Sequence, residues 1–143
     1  MPQIYVVGVS RSTGVKNLSR TVLSQADGVH AWGLRPGKNN TTLWHRIDIG
    51  DSLLFRTQAA IVASARVRGK LHDKVLAGRL WGEEWEYILL LETPSTLDVR
   101  CSTYEHFLGK SYQGTQRITS ARMQSIEASF GGETFRQTFG LKV

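Results

Sequence analysis

Cysteine is almost absent from this sequence, in which Cys101 is the only one among 143 residues. A single cysteine excludes an intrachain disulfide and a cysteine-rich zinc site, and it favours a reducing compartment. The sequence also lacks a charged leader followed by a long apolar stretch, and no apolar run approaches the ~18 residues of a membrane-spanning helix. These absences predict a soluble, cytoplasmic protein.

Acidic residues are the scarcer charge. Lysine and arginine total 18 against 12 aspartates and glutamates, which gives a formal net charge of +6 and a pI near 9.8. This surplus suits a polyanionic partner such as nucleic acid, although a basic protein without such a partner has the same composition. No repeat, low-complexity run or linker divides the chain, so residues 1–143 are expected to form one domain.

The sequence patterns that mark common enzyme sites are also missing. The histidines are not spaced as metal ligands on a helix, and neither a G-x-S-x-G motif nor a glycine-rich phosphate loop occurs. Cys101 and His106 are close enough in sequence to be considered as nucleophile and base, but a lone cysteine beside a strand is far more often inert. Glu83 and Glu84 could serve as general-acid or nuclease carboxylates, but a solvated turn before a strand explains them more simply. We therefore predict a protein without catalytic activity, metal or cofactor.

Two of the four tryptophans lie between residues 27 and 55, on either side of a basic segment. Trp32 ends a short apolar run and Trp44 falls in an expected helical turn. An expected loop between them is rich in glycine, asparagine and positive charge (Arg35, Lys38, Asn39, Asn40). Aromatic faces beside positive charge suit a flat, uncharged ring carried on a phosphate backbone. The alternative is that both indoles fill the core of a small β-rich domain.

Apolar periodicity predicts mixed α and β structure. Strands are expected at residues 4–9, 29–32, 52–55, 61–67, 87–92 and 97–101, with 52–55 and 61–67 paired as a hairpin. Helical segments are expected at 15–25, within 71–80 ending near Gly78, at 104–108 and at 120–130. The tail, 133–143, is expected to pack as a last turn or strand. Because Arg66 and Arg68 alternate with Val67, a strand there would place both guanidinium groups on one face, either simply solvated or lining a phosphate track.

Three stretches of the sequence resemble a known family. VSRSTGVKNLSRTVLSQADGVHAWG (9–33) resembles the opening of a YTH domain, where a strand ends in a serine, an asparagine lies early in the next helix and a Gly-Val-Trp-like element supplies an indole. Ser10, Asn17 and Trp32 occupy these positions. GDSLLF (50–55) and LWGEEWEYILLLE (80–92) resemble the related EVE domains. The resemblance implies the PUA-like architecture, an α+β fold with a strongly bent β-sheet or open barrel flanked by helices.

The resemblance also implies a pocket for a modified base flipped out of the stack. Trp32 would form one wall and Trp81 or Trp85 the opposite wall, and Asn17 would bind the base edge beside Ser10. The nucleic-acid backbone would be held by basic residues, namely Arg11, Arg35, Lys38, Arg66 and Arg68.

Similar domains are found in McrB-type modification-dependent restriction systems, where they read a modified base in DNA. The resemblance therefore implies a non-catalytic reader of methylated DNA with a fused or associated NTPase or nuclease as partner. One alternative is a reader of N6-methyladenine in RNA. Another is a small hydrolase of modified nucleosides related to ASCH domains, for which Lys38, Thr41 and Glu83 are scattered candidates.

Overall fold

The computed structural model describes residues 2–8, 25–26, 29–34, 36–57, 59–81, 85–104 and 115–141, with the backbone alone at 25, 26, 29, 81, 103, 115 and 116. The predicted mixed α+β content is confirmed. In chain order the elements are β1 (Ile4–Gly8), β2 (Gln25–Ala26), β3 (Val29–Leu34), α1 (Lys38–Arg46), β4 (Ser52–Arg56), β5 (Ala60–His72), α2 (Lys74–Trp81), β6 (Tyr87–Leu91), β7 (Ser95–Arg100), a 3-10 turn (Cys101–Tyr104), β8 (Thr115–Arg117), α3 (Ser120–Phe130) and α4 (Gly132–Thr138).

The strands form one eight-stranded sheet in the order β2-β3-β6-β5-β4-β1-β8, with β7 paired to β5. β1 runs parallel to β4, and the predicted antiparallel hairpin of β4 and β5 is confirmed. Within the described residues the end strands β2 and β8 do not pair with each other, so the sheet is open. None of the described helices is both long and apolar enough to cross a membrane.

β5 organises the sheet because it spans 13 residues, well beyond the predicted 61–67. Its first half pairs with β4 on one side and β7 on the other, and its second half pairs with β6. β6 and β7 therefore lie one after the other along the same edge of β5, and the stretch between them contains Pro94. Proline cannot donate a ladder hydrogen bond, which explains why pairing stops there.

A bulge at Arg68 interrupts the alternation of β5. Val67 pairs with Leu91, whereas Gly69 pairs with Leu90, the adjacent residue of β6. Two steps along β5 thus match one step along β6, which is the pattern of a β-bulge. The prediction that the two arginines of 66–68 share a face depended on strict alternation, and this alternation does not hold.

The described residues form three core clusters. Cluster A lies on the sheet face covered by α1, cluster B lies on the face covered by α3 and α4, and cluster C lies under α2. The buried members of cluster A are Tyr5, Val7, Leu34, Ile47, Leu53, Phe55, Ala63, Ala65, Val67, Tyr87, Leu89 and Leu91. Those of cluster B are Val6, Leu54, Ile61, Cys101, Ile118, Ile126, Phe135 and Phe139, and those of cluster C are Ala31, Ala77 and Ile88.

Two local predictions are corrected. Residues 38–40, expected as a loop, form the first turn of α1. Asparagine is a poor helix former, but Leu43 and Trp44 later in this helix pack against cluster A, and such packing outweighs weak propensities. Residues 71–72 belong to β5, and α2 begins only after Asp73, whose side chain accepts a hydrogen bond from the Leu76 N–H at 3.0 Å.

The C-terminal predictions are confirmed in part. The helix expected at 120–130 has these bounds, and its N-cap Thr119 accepts a hydrogen bond from the Arg122 N–H. The tail forms the helix α4, with Phe135 and Phe139 buried in cluster B, rather than a lone turn or strand. The helix predicted at 15–25 lies outside the described residues except for Gln25, which belongs to β2 and not to a helix. Most of the turn predicted at 104–108 also lies outside them.

Candidate functional site

Trp32 lies within β3, opposite Leu89 of β6. Its indole is partly buried against cluster A and packs edge-on against the Phe55 ring, with centroids 5.1 Å apart and planes at 62°. β3 and β4 are not neighbours, because β6 and β5 lie between them. Three strand spacings amount to about 14 Å in a flat sheet, so this contact requires the sheet to curl. Trp32 thus lies on the concave side of the curl.

The indole N–H of Trp32 is buried, and it has no hydrogen-bond partner among the described residues. Buried tryptophan N–H groups usually find an acceptor. A buried donor without one costs about 1–3 kcal/mol of stability. An acceptor supplied by a bound ligand would recover that cost.

His30 was not among the site residues predicted from the sequence, yet its ring also carries a buried nitrogen without a described partner. It lies two residues before Trp32 in β3, and its buried Nδ1 likewise has no partner in the described part of the chain. Side chains two apart in a strand point to the same face. The strand-like alternation of His30, Ala31 and Trp32 is the sequence pattern that could have identified His30 as a neighbour of Trp32 on one face.

Trp44 differs from Trp32 in its hydrogen bonding. Its indole N–H donates to the Ile88 carbonyl at 3.3 Å, and its ring lies 5.3 Å from the Tyr87 ring. The Lys70 ammonium donates to the Trp44 carbonyl at 2.9 Å and lies 4.8 Å from its ring centroid. The bulge in β5 places Lys70 on this side, opposite Leu89. Trp44 is therefore a structural residue that anchors α1 to the sheet.

This contrast predicts different costs for the same substitution at the two indoles. Trp44→Phe removes an N–H that is hydrogen-bonded to the Ile88 carbonyl, whereas Trp32→Phe removes a donor that has no partner among the described residues. We expect Trp44→Phe to be the less stable variant, by about 1 kcal/mol. Urea unfolding of both variants without ligand measures the difference. If Trp32→Phe is the less stable of the two, its N–H has a partner in the free protein.

Of the two candidates for the second wall of the predicted cage, Trp85 is not brought opposite Trp32. Trp85 is partly buried against cluster C, with Ala77 and Ile88. Neighbouring Ala31 and Trp32 point to opposite faces of β3, and Ala31 belongs to cluster C. Trp85 and Trp32 therefore lie on opposite faces of the sheet. The backbone of Trp81 ends α2, and its side chain is outside the description.

The predicted backbone-binding residues are placed as follows. Lys38 is exposed at the start of α1, and Arg68 is exposed at the bulge. Arg66 is engaged with Glu92, with 2.9 Å between its Nε and a carboxylate oxygen. The remaining site predictions, Ser10, Arg11, Asn17 and Arg35, lie outside the described residues.

Two described residues considered for catalysis, Cys101 and Thr41, lie in separate elements. The Cys101 thiol is buried, and its burial raises its pKa despite the nearby Arg56. A raised pKa disfavours the nucleophilic thiolate. The Thr41 hydroxyl donates to the Tyr87 hydroxyl at 3.0 Å, while Glu83 and His106 lie outside the described residues. Nowhere in the described ranges do three His, Cys, Asp or Glu residues group as a metal site.

On the concave face, the described residues thus combine an indole, an edge-on phenyl ring and two buried ring nitrogens that have no described partner. An apolar site with a few convergent polar groups can hold a flat heterocycle by packing and hydrogen bonding. Neither a scan against protein-family models nor a search of the curated proteins gives a match for this sequence.

Proposed function

We propose that this domain is a non-catalytic reader of DNA that holds one flipped, modified base against Trp32. The motif resemblance and the net charge of +6 support DNA as the partner. A flipped base offers two flat faces and a hydrogen-bonding edge, and it loses its stacking partners on leaving the duplex at a cost of a few kcal/mol. Packing against the aromatic rings and a hydrogen bond to the indole N–H would offset that cost. A methyl group on the base adds apolar area to be buried.

The buried N–H of Trp32, which has no described partner, is the observation that carries this proposal. A ring nitrogen or carbonyl of the base would accept its hydrogen bond. The N–H of Trp44 already donates to a backbone carbonyl, so it does not require an acceptor from a ligand. Trp32 and Trp44 pack against the same core cluster, and the pairing of their N–H groups distinguishes the candidate site from the structural anchor.

The PUA-like architecture is part of the proposal. The long strand β5 shared by two sets of partners and the curl indicated by the Trp32–Phe55 contact support it. We place the base on the concave face, where the Trp32 and Phe55 rings meet. A nuclease or NTPase, fused or associated, would act on the DNA that this domain marks.

Anisotropy titration of matched duplexes tests the function. The probes carry unmodified bases, N6-methyladenine, 5-methylcytosine or 5-hydroxymethylcytosine at one position, at fixed moderate salt. We expect one modified duplex to bind more tightly than its unmodified match, with the matched single-stranded RNA binding less tightly than the DNA. Equal, salt-sensitive binding to all duplexes would overturn base reading, and tighter binding of N6-methyladenine RNA would identify an RNA reader.

The two arginines of β5 are expected to contribute unequally to this binding. Arg68 is exposed and has no described partner, whereas Arg66 already faces Glu92. Arg68→Ala should therefore weaken binding of every duplex and reduce the slope of log K against log[salt] by about 1. Arg66→Ala is the matched control, with a smaller change in slope. Equal slopes for wild type and Arg68→Ala would place Arg68 outside the interface.

A further inference from the structure

His30 and Trp32 form a pair of ring systems on one face of β3. They are opposite Leu91 and Leu89 in β6, two positions apart in each strand. Residues so spaced have Cα atoms about 6.6 Å apart, which lets two side chains contact one small ligand. Both rings carry a buried nitrogen with no partner in the described part of the chain.

Among the described residues, the side chains beside these rings on β6 and β5 offer these nitrogens no partner. Leu89 and Leu91 on β6, and Val67 beyond them on β5, are buried members of cluster A. They offer apolar area and no donor or acceptor. A polar pair in such surroundings costs stability unless a partner binds it.

We infer that His30 reads the hydrogen-bonding edge of the base held at Trp32, which makes it a specificity-determining residue. This inference rests on the proposed function. An indole N–H can only donate, while Nδ1 of a neutral imidazole accepts or donates according to its tautomer. The pairing edge of a nucleobase presents an acceptor beside a donor. The indole N–H bonds the acceptor, and Nδ1 bonds the neighbouring group.

This assignment defines the class of base. A modification away from the pairing edge, such as 5-methylcytosine, leaves both hydrogen bonds intact, and N6-methyladenine keeps one exocyclic N–H and its ring acceptor. Methylation on the edge itself, as in 1-methyladenine or 3-methylcytosine, removes the ring acceptor. The site should accept the first group and reject the second.

The test measures base discrimination by anisotropy with the 143-residue chain and the duplexes named above, extended by duplexes that carry 1-methyladenine or 3-methylcytosine. His30→Phe keeps an aromatic ring without nitrogens and is expected to lower discrimination by about tenfold. His30→Asn keeps a polar group near the position of Nδ1 and should restore part of it. His72→Phe is the matched control, because His72 is half-exposed and its Nε2 already faces Glu86.

The outcomes separate this inference from the proposed function. Unchanged discrimination by His30→Phe, or wild-type binding of an edge-methylated duplex as tight as that of the preferred modified duplex, overturns the role of His30 while base reading stands. No discrimination by the wild type overturns both. The edge-methylated probes need no variant, so the inference stays testable even if His30→Phe fails to fold.

Discussion

Trp32→Ala is expected to abolish discrimination between the modified and the plain duplex. The substitution removes the ring edge that packs against the base and the N–H that lacks a described partner. Leaving the acceptor of the base without its donor costs about 1–3 kcal/mol, which corresponds to a loss of about 5- to 150-fold in affinity for the modified duplex. Contacts with phosphates remain, so binding of plain DNA and its salt dependence should change little.

Trp85→Ala is the matched control for this experiment. Both substitutions truncate a partly buried indole, but Trp85 packs on the opposite face of the sheet. Each variant is expected to lose core packing, so circular dichroism and thermal unfolding must first establish that each is folded at the assay temperature. If Trp85→Ala loses discrimination and Trp32→Ala keeps it, the pocket lies on the side of cluster C.

Asp51→Ala is expected to cost about 3 kcal/mol of unfolding free energy, since it removes two hydrogen bonds to a charged acceptor. The Asp51 carboxylate is 4% exposed. One oxygen accepts from the Gln3 N–H at 2.8 Å and the other from the Asp48 N–H at 2.9 Å. This side chain therefore ties the start of β1 to the turn that precedes β4. Urea unfolding measures the loss.

Two further variants calibrate that result. Asp51→Asn keeps one acceptor oxygen and should lose about half as much stability as the alanine variant. Asp98→Ala, on the exposed side of β7, removes a solvated carboxylate and should change stability by less than about 0.5 kcal/mol. A similar loss for Asp98→Ala and Asp51→Ala would show that the buried hydrogen bonds contribute little.

The Gly-Asp step at residues 50–51, which the sequence marked as the opening of a strand, thus has a structural explanation. Gly50 has φ +97°, a conformation that suits glycine, and its N–H donates to the Val67 carbonyl. Val67 in turn donates to the carbonyl of Asp51. The motif fixes the register of β4 and β5 and, through them, the position of Phe55 beneath Trp32.

Much of the local structure could be predicted from the sequence. The apolar run at 87–92 and the spacing of Met123, Ile126 and Phe130 each specify an element, because one strand or one helix face must be buried whatever it packs against. The presence of an indole N–H at Trp32 and the excess of basic over acidic residues can likewise be read from the sequence. These signals depend only on neighbours along the chain.

Tertiary structure alone decided how the site residues are grouped. The bulge at Arg68 and the split of Trp32 and Trp85 between two faces depend on strand register, which is set by pairing between residues far apart in the chain. Whether an indole N–H is paired depends on which carbonyl the fold brings near it, so Trp44 and Trp32 could not be told apart from their local sequence. The sequence determined that the chain has aromatic, basic and strand-forming residues suited to a nucleic-acid reader, and the packing of the curled sheet decided which of them share one face.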